Sequence, residues 1–85
     1  MESRVALIGI VVSEPESVEQ MNGILHQFAP YIIGRMGIPY KEAGVSLISV
    51  ALDAPQDIIS ALSGKLGALS GVNTKTIMPK IAGRS

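Results

Sequence analysis

Cysteine and tryptophan are absent from this chain of 85 residues, which has one phenylalanine, two tyrosines and one histidine. The absence of cysteine excludes disulfide bonds and thiol chemistry. One histidine without a cysteine is a poor donor set for a first-row transition metal, which usually needs three or four protein ligands. So few aromatic side chains also leave the predicted sheet without the paired rings that stack on RNA bases. The sequence therefore predicts no metal site and no cofactor.

Net charge is also absent, because seven basic residues balance seven acidic ones, and only 16% of the residues are charged. Binding of duplex DNA depends on lysines and arginines that neutralise phosphates, so we do not expect direct nucleic-acid binding. The longest apolar run, at residues 5–12, is too short to cross a bilayer. Residues 1–4 include a glutamate and precede no signal-peptide pattern. We therefore expect a cytoplasmic protein that does not contact membranes.

The second half of the chain is predicted to form a strand–helix–strand unit. Residues 45–52 are uncharged and mainly aliphatic, which is typical of a buried strand. Asp53, followed by Pro55 and Gln56, predicts an N-cap with a capping box. Gly71 can take the left-handed conformation that ends a helix. Between these signals the apolar residues recur at helical spacing: Ile58, Ile59, Leu62, Leu66 and Leu69.

The first half of the chain repeats this pattern forty positions earlier. Residues 5–8 match residues 45–48 in type, and S-E-P-E at 13–16 matches D-A-P-Q at 53–56. Two such halves predict a βαββαβ fold of the α+β class: ferredoxin-like, with a four-stranded antiparallel sheet and two helices on one face. The alternative is that strand-to-helix turns simply converge on such residues. We prefer the paired interpretation because the strand, the cap and the first apolar residue of the helix are all separated from their counterparts by the same number of residues.

The predicted elements together form a single domain over residues 1–85. Glycines at positions 34 and 37 predict a bulge or bend in the second strand, and the tail at residues 80–85 is predicted to be frayed. Strands are predicted at residues 4–12, 31–38, 45–52 and 72–78, and the first helix at residues 15–29.

Both faces of the predicted sheet are apolar at their centre, because aliphatic residues occupy successive positions of the first and third strands. Two helices can cover one face only, which would leave the other in water. Scattered exposed aliphatics on a monomer are the alternative. We predict a homodimer joined across the sheets. A further contact through the second helix could extend the dimer to a tetramer. The candidate sheet-face interface residues are Val5, Leu7, Ile8, Leu47 and Ile48, and the pattern leaves open which face is used.

Two helical surfaces are candidates for effector or subunit contact. Glu19, Asn22 and His26 share one side of the first helix. The second helix carries small residues opposite its apolar stripe, and its interior glycines cost about 1 kcal/mol each relative to alanine. A close contact, within the domain or with another subunit, should compensate. The candidates there are Ser63, Gly64, Lys65 and Gly67.

Catalytic signals are weak throughout the chain. Residues 63–66 suggest a phosphate loop, but Leu66 stands where serine or threonine must bind magnesium. Residues 64–67 match the G-x-x-G of KH domains, yet they lie within an apolar helical stripe. No acid, base and nucleophile converge in the pattern, so we predict no catalytic residues and a protein that is not an enzyme.

Two segments, A-L-S-G-K-L-G-A-L-S-G-V-N-T-K-T at residues 61–76 and N-G-I-L-H-Q-F at residues 22–28, resemble the family of iron-only hydrogenase system regulators. The likeness extends over residues 4–80. That family is similar in fold to ACT domains and to the C-terminal half of nickel-responsive regulators. The resemblance therefore implies an ACT-like regulatory module that oligomerises and contacts a protein or small effector. Its partner would take part in hydrogenase assembly or expression.

The chain departs from nickel-responsive regulators in two ways. It has no ribbon-helix-helix segment before the first strand, and it lacks the several histidines and the cysteine of the nickel site. Two alternatives to the regulatory module remain open. The first is an ACT-type small-molecule sensor subunit of a partner enzyme, and the second is a nucleic-acid-binding transcriptional regulator.

Overall fold

The computed structural model describes residues 3–79, which form one four-stranded sheet and two helices; the predicted frayed tail at residues 80–85 lies outside the described residues. The strands have the spatial order β2-β3-β1-β4, and every neighbouring pair is antiparallel. This order confirms the predicted ferredoxin-like βαββαβ class. The elements are β1 (Arg4–Val12), α1 (Ser17–Gln27), β2 (Ile32–Tyr40), β3 (Val45–Ala54), α2 (Gln56–Gly67) and β4 (Val72–Ile77).

The core lies between one face of the sheet and both helices. Alternate residues of β1 and β3 point into it, and the apolar stripes of α1 and α2 pack against them. None of the described helices combines the length and the apolar character needed to span a membrane. The buried side chains of the core include Ile8, Ile10, Val50 and Leu52 from the sheet and Met21, Leu25, Ile59, Leu62 and Leu66 from the helices.

The predicted N-cap of the second helix is wrong. β3 continues to Ala54, and Asp53 is a strand residue opposite Val5 of β1. The helix begins at Gln56 with Pro55 at the cap position, and no side chain caps it. Strand pairing with β1 holds the backbone of Asp53 extended, so the strand ends two residues later than the capping pattern predicts.

The predicted cap of the first helix is also wrong, and its serine has another role. The hydroxyl and the backbone N–H of Ser13 both donate to the carbonyl of Gly71, at 3.1 and 2.8 Å. The cap residue is Glu16, which makes no side-chain cap bond. The buried hydroxyl of Ser17 donates to the carbonyl of Ser70 at 2.6 Å. These bonds connect the start of α1 to the loop that leads into β4.

β2 is an edge strand that extends beyond the helices, and it is exposed along almost its whole length. It begins at Ile32 and ends at Tyr40, two residues later than predicted, after a short 3-10 turn at Ala29–Tyr31. Its pairing with β3 shifts by one residue between Ile32 and Gly34, which confirms an irregularity at the first predicted glycine. Because α1 does not cover this strand, the helix-facing side of β2 borders a groove.

Candidate functional site

The sheet face that points away from the helices is called the open face here, and it is the largest apolar surface of the fold. Residues directly opposite each other in an antiparallel pair share a face. One row across the sheet is therefore Ile38, Leu47 and Val11, and a second row ends with Leu7 and Ile77. Met36, Ile38 and Tyr40 of β2 lie on the same face, so the apolar surface continues to the β2 edge.

The chemistry of the open face is typical of a protein interface. Seven large apolar side chains on it are between 40% and 63% exposed. Asp53 and Lys75 are the charged residues that the described strands place on it. At its centre Gly9 lies opposite Ser49, and because both residues are small the surface is recessed there. The exposed large apolar residues of the face are Leu7, Val11, Met36, Ile38, Tyr40, Leu47 and Ile77.

The structure divides the five predicted sheet-interface residues into two groups. Val5, Leu7 and Leu47 lie on the open face. Ile8 and Ile48 point to the opposite side, where the helices leave them 0% and 7% exposed. For those two residues the prediction is wrong, because they are part of the core and cannot touch a partner across the open face.

Of the three predicted residues on α1, two share a pocket and one does not. Asn22 and His26 line a pocket of about 320 Å³ between α1 and β2, together with Arg35 of the edge strand. Glu19 lies outside it, in a separate and larger surface depression of about 570 Å³ beside Ser70. The Arg35 guanidinium donates from Nη2 to Oδ1 of Asn22 at 3.0 Å, which joins the strand to the helix across the pocket.

The predicted residues on α2 do not form a single site. Ser63 faces β4, where its hydroxyl accepts a hydrogen bond from Thr76 at 3.2 Å and lies 3.5 Å from the Thr74 hydroxyl. Gly67 also faces Thr74, and a Cβ there would lie 3.7 Å from its hydroxyl oxygen. The small side of α2 is therefore partly explained by contact with β4 within the domain.

The other two predicted residues of α2 are exposed. A Cβ at Gly64 would meet nothing within 4 Å. The Lys65 ammonium lies 5.7 Å from the centre of the Phe28 ring, a cation–π distance that connects α2 to the end of α1. Neither residue faces a cavity with the residues of the α1–β2 pocket, so the structure does not bring the two helical surfaces together.

Sequence reasoning missed Arg35 and the open-face residues of β2 and β4. Arg35 is the one charged residue of β2 and stands next to Gly34 in an otherwise apolar strand. A basic residue in that position indicates a polar environment, and this signal was available. Met36 and Ile38 were harder to assign, since the irregularity between Ile32 and Gly34 reverses the faces of β2 beyond it.

Metal ligands are sparse in the described part of the chain. Residues 3–79 contain no group of three or more histidine, aspartate and glutamate side chains that could hold an ion. Oxygen donors such as Glu14, Glu16 and Glu19 favour hard cations over nickel.

We predict that the purified protein binds nickel or iron weakly or not at all, because His26 is its one imidazole and it has no thiolate. Calorimetry with Ni²⁺ should show no saturable heat at micromolar metal. Tight binding that disappears in His26→Ala would contradict this prediction, whereas weak heat unchanged by that substitution would be consistent with carboxylate binding.

A comparison with solved structures finds an uncharacterized protein, TM1266, from Thermotoga maritima. It is 40% identical, with a TM-score of 0.89, and the match covers 93% of this chain and all of that one. A formyltetrahydrofolate deformylase from Pseudomonas putida KT2440 matches 88% of this chain and 29% of its own length. Its TM-score is 0.64 at 14% identity, so it shows the fold alone. A comparison with curated proteins finds no match.

A family model described as "TM1266-like: Iron-only hydrogenase system regulator, putative" matches residues 4–76. The match begins with the first residue of β1 and extends almost to the end of β4, so it includes both helices and all four strands. The predicted resemblance is thereby confirmed. This chain belongs to the TM1266-like family of iron-only hydrogenase system regulators.

Proposed function

We propose that this protein is a non-enzymatic regulatory module of an iron-only hydrogenase system, and that it acts as a homodimer through contact with a protein partner. The family match is the observation that carries the regulatory part of this proposal. The open face supports the dimer, because a monomer would leave seven large apolar side chains on one surface in water.

The size of the open face is sufficient for self-association. Four strands about 4.8 Å apart, over about eight residues at about 3.3 Å each, present about 500 Å² per copy. Two copies would bury about 1,000 Å², which is the lower limit for a specific interface. Two identical faces can meet across a two-fold axis, since Asp53 lies near the end of β3 and Lys75 lies on the edge strand β4, both at the margin of the open face. A second copy of this chain is therefore a suitable occupant.

Light scattering coupled to size-exclusion chromatography tests the dimer directly. At about 50 µM, a concentration that populates complexes of micromolar affinity, the measured mass should be at least twice 8.9 kDa. A tetramer would mean that a further contact, for which the exposed part of α2 is the candidate, joins two dimers. A monomer at this concentration would contradict the proposal.

The regulatory role requires an experiment in cells. The gene should be deleted in a host that carries an iron-only hydrogenase, with hydrogenase activity and hydrogenase transcript measured in parallel. A change in activity at constant transcript would indicate action on assembly through a protein partner. A change in both would indicate action on expression. If neither quantity changes, the proposed regulatory function is wrong.

We predict that the chain does not bind DNA by itself, so any transcriptional effect would need a DNA-binding partner. Each helix carries acids near its N-terminus, Glu16 and Glu19 on α1 and Asp57 on α2, which disfavours a phosphate there. Neither helix has the free basic face of a recognition helix. The basic residues are dispersed along the chain as Arg4, Arg35, Lys41, Lys65, Lys75, Lys80 and Arg84.

Fluorescence anisotropy of labelled DNA from the upstream region of the gene, titrated with the protein at low salt, measures DNA binding. The anisotropy should remain unchanged up to about 10 µM protein, since non-specific binding arises from phosphate neutralisation. Saturable binding that weakens steeply with added salt would contradict the prediction.

A further inference from the structure

The pocket between α1 and β2 combines an apolar floor with a polar rim. Its floor is formed by Leu25, which is buried, by Ala29 of the turn that follows the helix and by Ile32 at the start of β2. Its rim carries Asn22, His26 and Arg35. Asn22 and His26 are four residues apart on α1 and therefore face the same way. This arrangement, a few polar groups above an apolar surface, is typical of small-molecule sites.

Arg35 is the principal polar group of the pocket, and its position follows from the sheet. It lies opposite the buried Val50 in β3, so its side chain leaves the sheet on the helix side. Because β2 extends beyond the helices, the guanidinium reaches the edge of α1 rather than the core. No carboxylate of residues 3–79 forms an ion pair with Arg35 in this structure, and its one side-chain hydrogen bond goes to Asn22.

The bond to Asn22 orients the guanidinium and leaves most of its donors available. A guanidinium has five N–H donors, of which one is used here. Since the Asn22 oxygen accepts that bond, the asparagine amide also keeps two N–H donors for a ligand. Asn22 is therefore a positioning residue that holds Arg35 beside the pocket and adds donors of its own.

We infer that this pocket binds a small monocarboxylate with a short apolar body. The guanidinium fork matches the two oxygens of a carboxylate, and this pairing is stronger than a neutral hydrogen bond. The apolar body would lie on Leu25, Ala29 and Ile32. A volume of about 320 Å³ is at the lower end of the range for ligand pockets, so it suits a compact acid rather than a nucleotide.

The charge around the pocket favours one negative charge on the ligand. The lining supplies one permanent positive charge, from Arg35, and no carboxylate. The C-terminal carbonyls of α1 would repel an anion, but the N–H of Phe28 donates to the carbonyls of Leu25 and His26. The proposal is independent of the open face, which lies on the other side of the sheet, so either proposal can fail without the other.

An NMR titration of the full chain labelled with ¹⁵N tests the inference. The probes are isovalerate, its neutral analogue isovaleramide, and inorganic phosphate, each added to about 10 mM, which detects millimolar affinity. Isovalerate should shift the backbone amides of Asn22, His26, Ile32 and Arg35 in a saturable way. Isovaleramide should bind at least about tenfold more weakly, because it lacks the charge that Arg35 recognises.

Two variants separate the role of charge from that of shape. Arg35→Gln should weaken isovalerate binding at least about tenfold. Asn22→Asp has nearly the same shape but places a carboxylate on the Arg35 guanidinium, so an internal ion pair should compete with the ligand and weaken binding by a similar factor. Lys41→Gln, which removes one positive charge from the exposed turn after β2 and outside the pocket, is the matched control and should bind isovalerate normally.

Each outcome decides the proposal. Saturable shifts at the pocket that are lost in both pocket variants, with dispersed spectra showing that the variants are folded, would support it. Equal binding of isovalerate and isovaleramide would show that the carboxylate is not recognised and would overturn it. Preferential binding of phosphate, absence of any shift with isovalerate, or unchanged affinity in Asn22→Asp would overturn it as well.

Discussion

Leu47→Asp is expected to raise the dimer dissociation constant by at least about a hundredfold. Leu47 lies on β3 between Ile38 and Val11, and it is 41% exposed in the single chain. In a two-fold dimer each substitution occurs twice, so two partly exposed leucines lose their burial and two carboxylates are brought into an apolar interface. A loss of about 3 kcal/mol corresponds to a factor of about a hundred.

Sedimentation equilibrium over a range of concentrations measures this effect. Gln20→Glu is the matched control, because it also adds one negative charge but lies exposed on α1, on the helix side of the sheet. The control should dimerise like the wild type, and circular dichroism should show that both variants are folded. A Leu47→Asp protein that dimerises normally would place the contact elsewhere. The same pair of variants, used to complement the gene deletion, would then show whether regulation depends on the dimer.

Gly71→Ala is expected to destabilise the protein by about 2–3 kcal/mol, the largest effect on stability that we predict. Gly71 connects α2 to β4 with φ of +68°, a left-handed conformation that costs alanine about 1–2 kcal/mol. A Cβ there would also lie 2.6 Å from Cγ and 2.9 Å from Cβ of Glu14. Since the backbone-anchored Cβ of Glu14 cannot easily move, the loop before α1 must shift.

That shift has a further cost, because the Glu14 carboxylate accepts a hydrogen bond from the Ser70 hydroxyl. Moving Glu14 would break this bond, and it would disturb the bonds by which Ser13 and Ser17 reach the same loop. A loss of 2–3 kcal/mol should lower the melting temperature by about 10 °C or more for a domain of this size. Urea denaturation at one fixed protein concentration measures the free energy of unfolding without a change in any dimer population.

Gly44→Ala provides the control that separates the two contributions. Gly44 has nearly the same φ, +69°, but a Cβ there would meet nothing within 4 Å. It should therefore cost only the left-handed strain of about 1–2 kcal/mol. Equal destabilisation by the two substitutions would mean that the Glu14 contact adds nothing. If Gly71→Ala left stability unchanged, the argument from backbone strain would be wrong.

The fold could be predicted from the sequence because local and long-range signals agree. The apolar stripe from Ile59 to Leu66 has helical spacing over a length that no strand would use. The uncharged run at residues 5–12 became β1 with the predicted boundaries. The two halves repeat, so few topologies other than βαββαβ remained. The left-handed conformation predicted for Gly71 is also present, since few residues other than glycine allow it.

The open face and the α1–β2 pocket were harder to predict from the sequence, since both depend on contacts between residues that are distant in the chain. Asn22 and His26 were predicted from their spacing on one helix, whereas Arg35 reaches them from a strand thirteen residues after Asn22. Nothing local to Arg35 shows which side of β2 it occupies, because the bulge before Gly34 changes the alternation. The sequence predicted Ser63 as a candidate for effector or subunit contact, whereas the structure places β4 against it within the domain.

The sequence by itself determined the elements, their order and the presence of two apolar sheet faces, because periodicity and turn residues act over a few positions. Only the tertiary structure decided which face the helices cover. Leu7 and Ile8 are both large aliphatics in β1, and hydrophobic alternation cannot distinguish them when both sides of a strand are apolar. Packing of α1 and α2 buried Ile8 completely and left Leu7 45% exposed. Which residues can meet a partner is therefore set by helix placement, a property of the whole chain and not of any segment.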